Sequence, residues 1–270
     1  MRTPPHLPFI DRPTAFAVGL KPIALEAWLT PDWEAAHIEE KRCLMAARAE
    51  EVCLVLPGSE AAQLEAAKLV LAATGATHLP QNDSPIAAAS ALVSDDLVVM
   101  EHRAGAWTAT AASLCTPTYF SAAQALGSSL AHLHGPVPAG DGFSERIARV
   151  FSAIEPDMVL ERFNWTVQPT ADRFTPRSAP LKALAGQIED AAALDVMHLR
   201  VERQTLRRLP QSGAVLFTIR VSLDPLRAVF GVPGAMAAFA SSWAGAPQAL
   251  RAYKGWACYE RLIEAALAQA

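Results

Sequence analysis

The run of apolar and polar positions divides this chain into a helical opening, a strand-rich middle and a helical close. Residues 32–50 (DWEAAHIEEKRCLMAARAE), with Glu, Lys and Arg at helical spacing, and residues 59–74 (SEAAQLEAAKLVLAAT) read as helices. Ser59 is placed to cap the second, with Gln63 one residue too late for a strict capping box. A polar loop with proline covers about 75–90. Segments 97–102 and 107–111 then predict a hairpin across Arg103-Ala104-Gly105. Residues 120–133, rich in Ala and Leu and free of proline, predict one helix. Gly135, Pro136 and Pro138 end it and leave His134 at its last turn, with Leu130 and Gly127 on the same face.

A helix over about 143–154 follows, then a strand at 158–167 and a proline-rich loop at 169–180 of the length that often borders a site. Segments 197–206 and 214–221 form a second hairpin, and helices at 225–230, 235–245 and 247–269 complete the chain. Five strands, antiparallel in expectation, with helices grouped before and after them, argue an α+β fold in one domain over residues 1–270.

Composition narrows the function classes. The chain has 270 residues, of which 51% are hydrophobic, enough for a sizeable core. The net charge of −4 carries no basic footprint, which argues against a nucleic-acid partner. No apolar run reaches the ~18 residues of a membrane span, and the proline-broken start MRTPPHLPFIDRP lacks a signal peptide's apolar region. The expected compartment is the cytoplasm. Cys43, Cys53, Cys115 and Cys258 are scattered without a CxxC pair, so they read as buried reduced thiols rather than ligands of zinc or an iron–sulfur cluster. GxGxxG, Walker and GxSxG signatures are missing.

Three constellations could carry chemistry. His134 at a helix end, over a small-residue face, is one way to present an axial haem ligand; capping the last carbonyls is the plainer use. In His198–Leu206, alternation puts His198, Arg200, Glu202 and Gln204 on one side and Leu199, Val201, Arg203 and Thr205 on the other. Charge on both faces of a central strand is costly unless paired or put to use. Glu202 could hold a cation, and an arginine could hold carboxylates; a structural Arg–Glu network is the alternative. Arg162-Phe163-Asn164-Trp165 either edges a cavity or supplies a buried hydrogen bond and a packing ring. Asp95-Asp96 is expected at solvent or capping the next strand, and His6, His37, His78 and His102 lie in polar or loop contexts.

In order along the chain stand Gly19-Leu-Lys-Pro22, Trp28-Leu29, His134-Gly-Pro-Val-Pro138, Arg162-Phe-Asn-Trp165, Arg200-Val-Glu-Arg-Gln-Thr-Leu206 with Leu209-Pro210, Phe217-Thr-Ile-Arg220 and Tyr253-Lys254. Together these resemble the haem-dependent oxidative N-demethylase family, the dimethylamine monooxygenase-like haem-binding subunits, over nearly the whole chain. The resemblance implies a PAS-like, five-stranded antiparallel sheet with flanking helices. It implies a b-type haem with His134 as the iron ligand, and Arg162, Trp165 and Arg220 around the cofactor. The implied reaction is oxygen-dependent removal of a methyl group from a small secondary alkylamine, releasing formaldehyde. Glu202 would seat the amine, and Arg200 or Arg203 would meet bound oxygen or a propionate.

Electrons would come from NADPH through FMN and a 2Fe–2S cluster of a separate reductase, and the reading leaves room for a homo-oligomer. The competing class is a PAS-type haem or small-ligand sensor without turnover. The chain departs from the family pattern at Thr118-Tyr119, where a tryptophan is expected, and at Ser121–Gly127, where a Glu/Lys pair is expected before the glycine.

Overall fold

The computed structural model describes residues 3–11, 19–29, 35–135, 137 and 142–270. Its strands are β1 (Lys21–Ile23), β2 (Cys53–Val55), β3 (Asp96–Arg103), β4 (Ala106–Ser113), β5 (Val159–Gln168), β6 (His198–Arg208) and β7 (Val215–Pro225). They form one antiparallel sheet in the order β1-β5-β6-β7-β3-β4-β2. The α+β class is as expected, but the sheet has seven strands rather than five. The five anticipated strands are all present. The two added ones, Lys-Pro-Ile and Cys-Leu-Val, are too short for an alternation to register. Pairing alone defines them: Lys21 opposes Glu161 and Cys53 opposes Ser113. Pro22 is tolerated because β1 is an edge strand.

The hairpin of β3 and β4 turns at Ala104 (φ 48°) and Gly105 (φ 84°), the two positive-φ residues that a tight primed turn requires. The expected single helix over 120–133 is instead two short ones, Ala122–Ala125 and Leu130–His134. Gly127 (φ 76°) lies between them, and its N–H donates to the Ala109 carbonyl at 2.8 Å while Ala109 N–H donates to Ser128. Those bonds to β4 are closed to a continuous helix. Each short helix has its own cap, Ser121 accepting from Gln124 N–H and Ser129 from His132 N–H. Gly127 therefore does not share a helical face with His134.

The last predicted helix is likewise split by Gly255 (φ 64°) into Gln248–Lys254, a 3₁₀ turn Trp256–Tyr259, and Glu260–Gln269. The first runs over Ala35–Ala47, and residues 32–34 of its predicted span lie outside those described, as do Pro136 and Pro138. The second runs over Glu60–Thr74; Ser59 stands at its start, but its hydroxyl donates to Leu56 O and accepts from Gln63 Nε2 rather than capping an N–H. The loop expected at 75–90 includes a helix, Pro85–Ser90, capped by Ser84.

Register fixes what each face of the sheet carries. Arg162 opposes Gln204, Asn164 opposes Glu202 and Thr166 opposes Arg200; Val221 opposes Glu202 in turn. These residues share one face with Val98, Met100, Leu206 and Val215. The apolar part of that face packs under Ala122, Leu130, Phe143, Ile147 and Phe151 of the helices between β4 and β5. The opposite face carries Phe163, Trp165, Leu199, Val201, Arg203 and Arg220. It is covered at one end by the C-terminal helices, through Phe239, Trp243 and Trp256. At the other end the Glu60–Thr74 and Pro85–Ser90 helices cover it. Among the described residues, no helix is long and apolar enough to cross a membrane.

Candidate functional site

The polar end of the first face is built around Glu202. Alternation on β6 places Arg200, Glu202 and Gln204 side by side, and β5 supplies Arg162 and Asn164 opposite them. The Glu202 carboxylate accepts from Asn164 Nδ2 at 3.2 Å, from Gln204 Nε2 at 2.7 Å and from the Thr118 hydroxyl. An ionised carboxylate has about four acceptor positions, so a further donor can still be received.

Arg200 is fully buried and makes a different use of its charge. Nε donates to Thr118 Oγ1 at 2.7 Å, and the guanidinium also donates to Gln168 Oε1 and to the carbonyls of Thr116 and Arg173. It thereby ties the loop after β4 and the loop after β5 to the sheet. Burial pushes it down to about 10, with Glu202 and Asp96 opposing. Thr118 joins Arg200 to Glu202, accepting from one and donating to the other. Its neighbour Tyr119 takes φ 56°, uncommon for a residue with a side chain, and is held by its N–H to Thr175 O and its hydroxyl to Tyr259.

A second cation reaches the group from outside the sheet. β1 covers β5 only along Val159–Glu161, so the later half of β5 is an edge among the described residues. Lys254 comes round that edge, donating to Asn164 Oδ1 at 2.8 Å and to the Trp165 carbonyl. Its ammonium also lies over the rings of Trp165 and Trp256. Burial pushes Lys254 down to about 8; Arg162 adds to the depression and Glu202 opposes it.

His134 ends the short helix over the same face. Its Nδ1 bonds the Leu130 carbonyl at 2.9 Å, which fixes the tautomer with Nδ1 protonated. Nε2 then has a free lone pair, with no hydrogen-bond partner among the described residues. Burial, with Arg162 as a further cause, holds His134 below its ordinary value and keeps it neutral, the state a metal ligand needs. Arg162 makes no hydrogen bond or ion pair with any described residue, and burial depresses it too. Leu133, Leu160, Phe217 and Ile219 stay only partly buried although β7 is a central strand. An imidazole nitrogen and a guanidinium that find no partner among the described residues, together with an apolar wall, form a donor set that suits a flat apolar acid such as haem. Among the described residues no cluster of three or more His, Cys, Asp or Glu could hold a metal ion by itself.

The structure thus brings together His134, Arg162, Glu202 and, through Thr118, Arg200. It does not bring Arg203, Arg220 or Trp165 to them. Those three lie on the opposite face because their strand parity is odd relative to Glu202. Arg203 pairs with Glu161 at 2.5 Å and donates to the carbonyls of Ala27 and Trp28; Arg220 pairs with Asp95 at 2.5 Å. Trp165 packs among Phe9, Phe239 and Trp256.

Asp95 and Asp96, expected at solvent or as a cap, are both buried. Asp96 takes the N–H groups of Cys115 and Thr116 and the Thr116 hydroxyl. The cysteines are free but not all buried: Cys115 is buried and pushed up to about 12 by burial, Cys43 is exposed, and Cys53 and Cys258 lie between. Thr118 and Lys254 were not singled out for roles in the sequence. The signal available was that Lys254 belongs to the ordered pattern and Thr118 to a departure from it.

A family model described as haem-dependent oxidative N-demethylase, alpha subunit-like, matches residues 72–263. The match spans β3 to β7 and includes His134, Arg162, Asn164, Arg200, Glu202 and Lys254.

Proposed function

Since the chain belongs to the haem-dependent oxidative N-demethylase, alpha subunit-like family, we propose that it is the haem-binding subunit of a monooxygenase. The reaction is oxidative N-demethylation of a small secondary alkylamine of the dimethylamine kind, giving the primary amine and formaldehyde. Oxygen is the co-substrate, and a separate reductase, using NADPH, FMN and a 2Fe–2S cluster, supplies electrons. The whole chain acts as one PAS-like domain. Support for that shape comes from the antiparallel run β5-β6-β7-β3-β4, with the His134 helix in the connection from β4 to β5.

The observation that carries this reading is the state of His134: Nδ1 is tied to a main-chain carbonyl, and Nε2 has no hydrogen-bond partner among the described residues. A hydrogen bond from the ring nitrogen that does not bind the metal orients a metal-ligating imidazole and raises its basicity. His134 would hold the iron and Arg162 would hold a propionate, as a fork-shaped donor suited to carboxylates. When bound, a b-type haem would supply oxygen activation at an iron centre.

The remaining work belongs to the chain's own side chains. Glu202 offers its carboxylate to the alkylammonium nitrogen, since a buried cation needs a buried anion. Asn164, Gln204 and Thr118 hold that carboxylate in one orientation, leaving room for one more donor. Arg200 keeps Thr118 in place and is fully buried, with its guanidinium donating to Thr118, Gln168 and the carbonyls of Thr116 and Arg173. Leu160, Phe217 and Ile219 keep the wall apolar and limit water at the reacting carbon.

The test is an absorption spectrum of the protein expressed with haem precursor, oxidised and reduced, beside His134→Ala, followed by formaldehyde release with a supplied reductant and dimethylamine. An intense Soret band that shifts on reduction and is altered in His134→Ala, together with formaldehyde, supports the reading. A folded protein that stays colourless overturns it, and a haem protein that releases no formaldehyde with any small methylamine points to the sensor class instead.

A further inference from the structure

We propose that Lys254 is the proton-exchanging partner of the Glu202 site: when a cationic amine pairs with Glu202, the Lys254 ammonium gives a proton to solvent and the charge of the pocket stays constant. The inference rests on the reading of Glu202 as the seat of the amine.

The geometry separates the two groups by one amide. Lys254 Nζ donates to Asn164 Oδ1, and Asn164 Nδ2 donates to Glu202, so the lysine is coupled to the carboxylate without occupying it. The groups around Lys254 leave few alternatives. From β6 it meets Glu202, from β5 Arg162, Asn164 and Trp165, and from the 3₁₀ turn Trp256. On its own helix stand Tyr253 and Arg251, the latter paired with Glu260. Lys182 of the Ala179–Ala185 helix packs at Gly255.

Glu202 is the carboxylate in this set that stabilises the ammonium; Arg162 already opposes it. An added cation on Glu202 offsets that attraction and adds repulsion, in surroundings where the dielectric screens poorly. Arg162 and Arg200 keep their protons. His134 is already neutral, and Tyr253, held above its ordinary value by burial and Glu202, stays protonated. Lys254, at about 8, is the group poised to respond.

Its hydrogen bonds permit the loss. The ammonium has two acceptors, Asn164 Oδ1 and the Trp165 carbonyl, and a neutral amine keeps two N–H donors. One N–H bond breaks, the electron pair stays on nitrogen and the proton leaves to buffer, so deprotonation strands neither acceptor.

The experiment is calorimetric titration of the full chain, with its bound cofactor, by dimethylammonium chloride at pH 8 in phosphate and in Tris. The difference between the two apparent enthalpies counts protons. About half a proton per cation is expected to be released at pH 8, fading toward pH 6, where Lys254 keeps its proton throughout. Lys254→Arg, which keeps the charge and the donors, and Lys254→Met should release none. Cation binding by the wild type with no proton released overturns the inference. So does release that persists in Lys254→Arg or fails to fade toward pH 6, because the proton then comes from the amine or another group. A wild-type protein without affinity for the cation overturns instead the reading of Glu202, and this inference with it.

Discussion

Asn164 and Glu202 face each other directly across β5 and β6, and the amide Nδ2 donates to Oε2 at 3.2 Å. The opposite end of the same amide receives Lys254. One neutral side chain thus lies between a buried carboxylate and a lysine, keeping the carboxylate from closing on an internal ion pair.

Glu202→Gln should weaken alkylammonium binding by about 10-fold or more, since the uncompensated cation would be buried without an anion. Haem content should not change. Titration of spectral shifts with dimethylamine, beside a haem assay, checks both; loss of haem in this variant would move Glu202 from substrate seat to scaffold.

Thr118→Val removes one donor to Glu202 and one acceptor of Arg200 in a single isosteric change. A buried charged group left short of a hydrogen bond costs about 1–3 kcal/mol. Urea denaturation should report a destabilisation of that size, and amine binding should weaken as Glu202 loses a restraint.

Arg203→Met should act on stability and leave the site alone. Arg203 holds Glu161 and the carbonyls of Ala27 and Trp28 on the far face of the sheet. Removing one partner of a buried pair costs about 3–5 kcal/mol. The spectrum and amine affinity of the folded fraction should match the wild type; a shifted spectrum would return Arg203 to the haem environment.

Stability should fall in mild acid. His6, His134 and His198 are all held below their ordinary value, each first by burial. The unfolded chain therefore takes up protons near pH 6.5 that the folded chain refuses, so stability is full above that pH and declines as pH drops below it. In haem-free protein His134→Gln should flatten the decline; an unchanged slope between pH 7.5 and 5 would show that His134 is not buried as described.

Gly127→Ala should cost about 1–2 kcal/mol, because a Cβ is strained at φ 76°. Since Gly127 sets the break between the two short helices, the change should also weaken haem retention. Thermal melts and haem content measure the two effects separately.

The sequence by itself determined the long elements and the parity of their side chains. Alternation along His198–Leu206 was enough to divide Glu202 and Arg200 from Arg203, since strand periodicity is local, whereas Arg162 and Trp165, read together as the edge of one site, lie on opposite faces of β5. The ordered motifs were enough to indicate the family, and the Gly-Pro run was enough to end a helix at His134. What lay beyond local rules was decided in three dimensions. β1 and β2 exist because neighbouring strands offer them hydrogen bonds, and the 120–133 segment breaks because Gly127 and Ser128 bond to Ala109. Which charges are used structurally also depends on distant partners: Arg220 meets Asp95, Arg200 meets Thr116 and Thr118, and Lys254 reaches Asn164 round a sheet edge. A buried charge is stable only where a partner is brought to it, and those partners, 82 to 125 residues away in the chain, come together only through the tertiary structure.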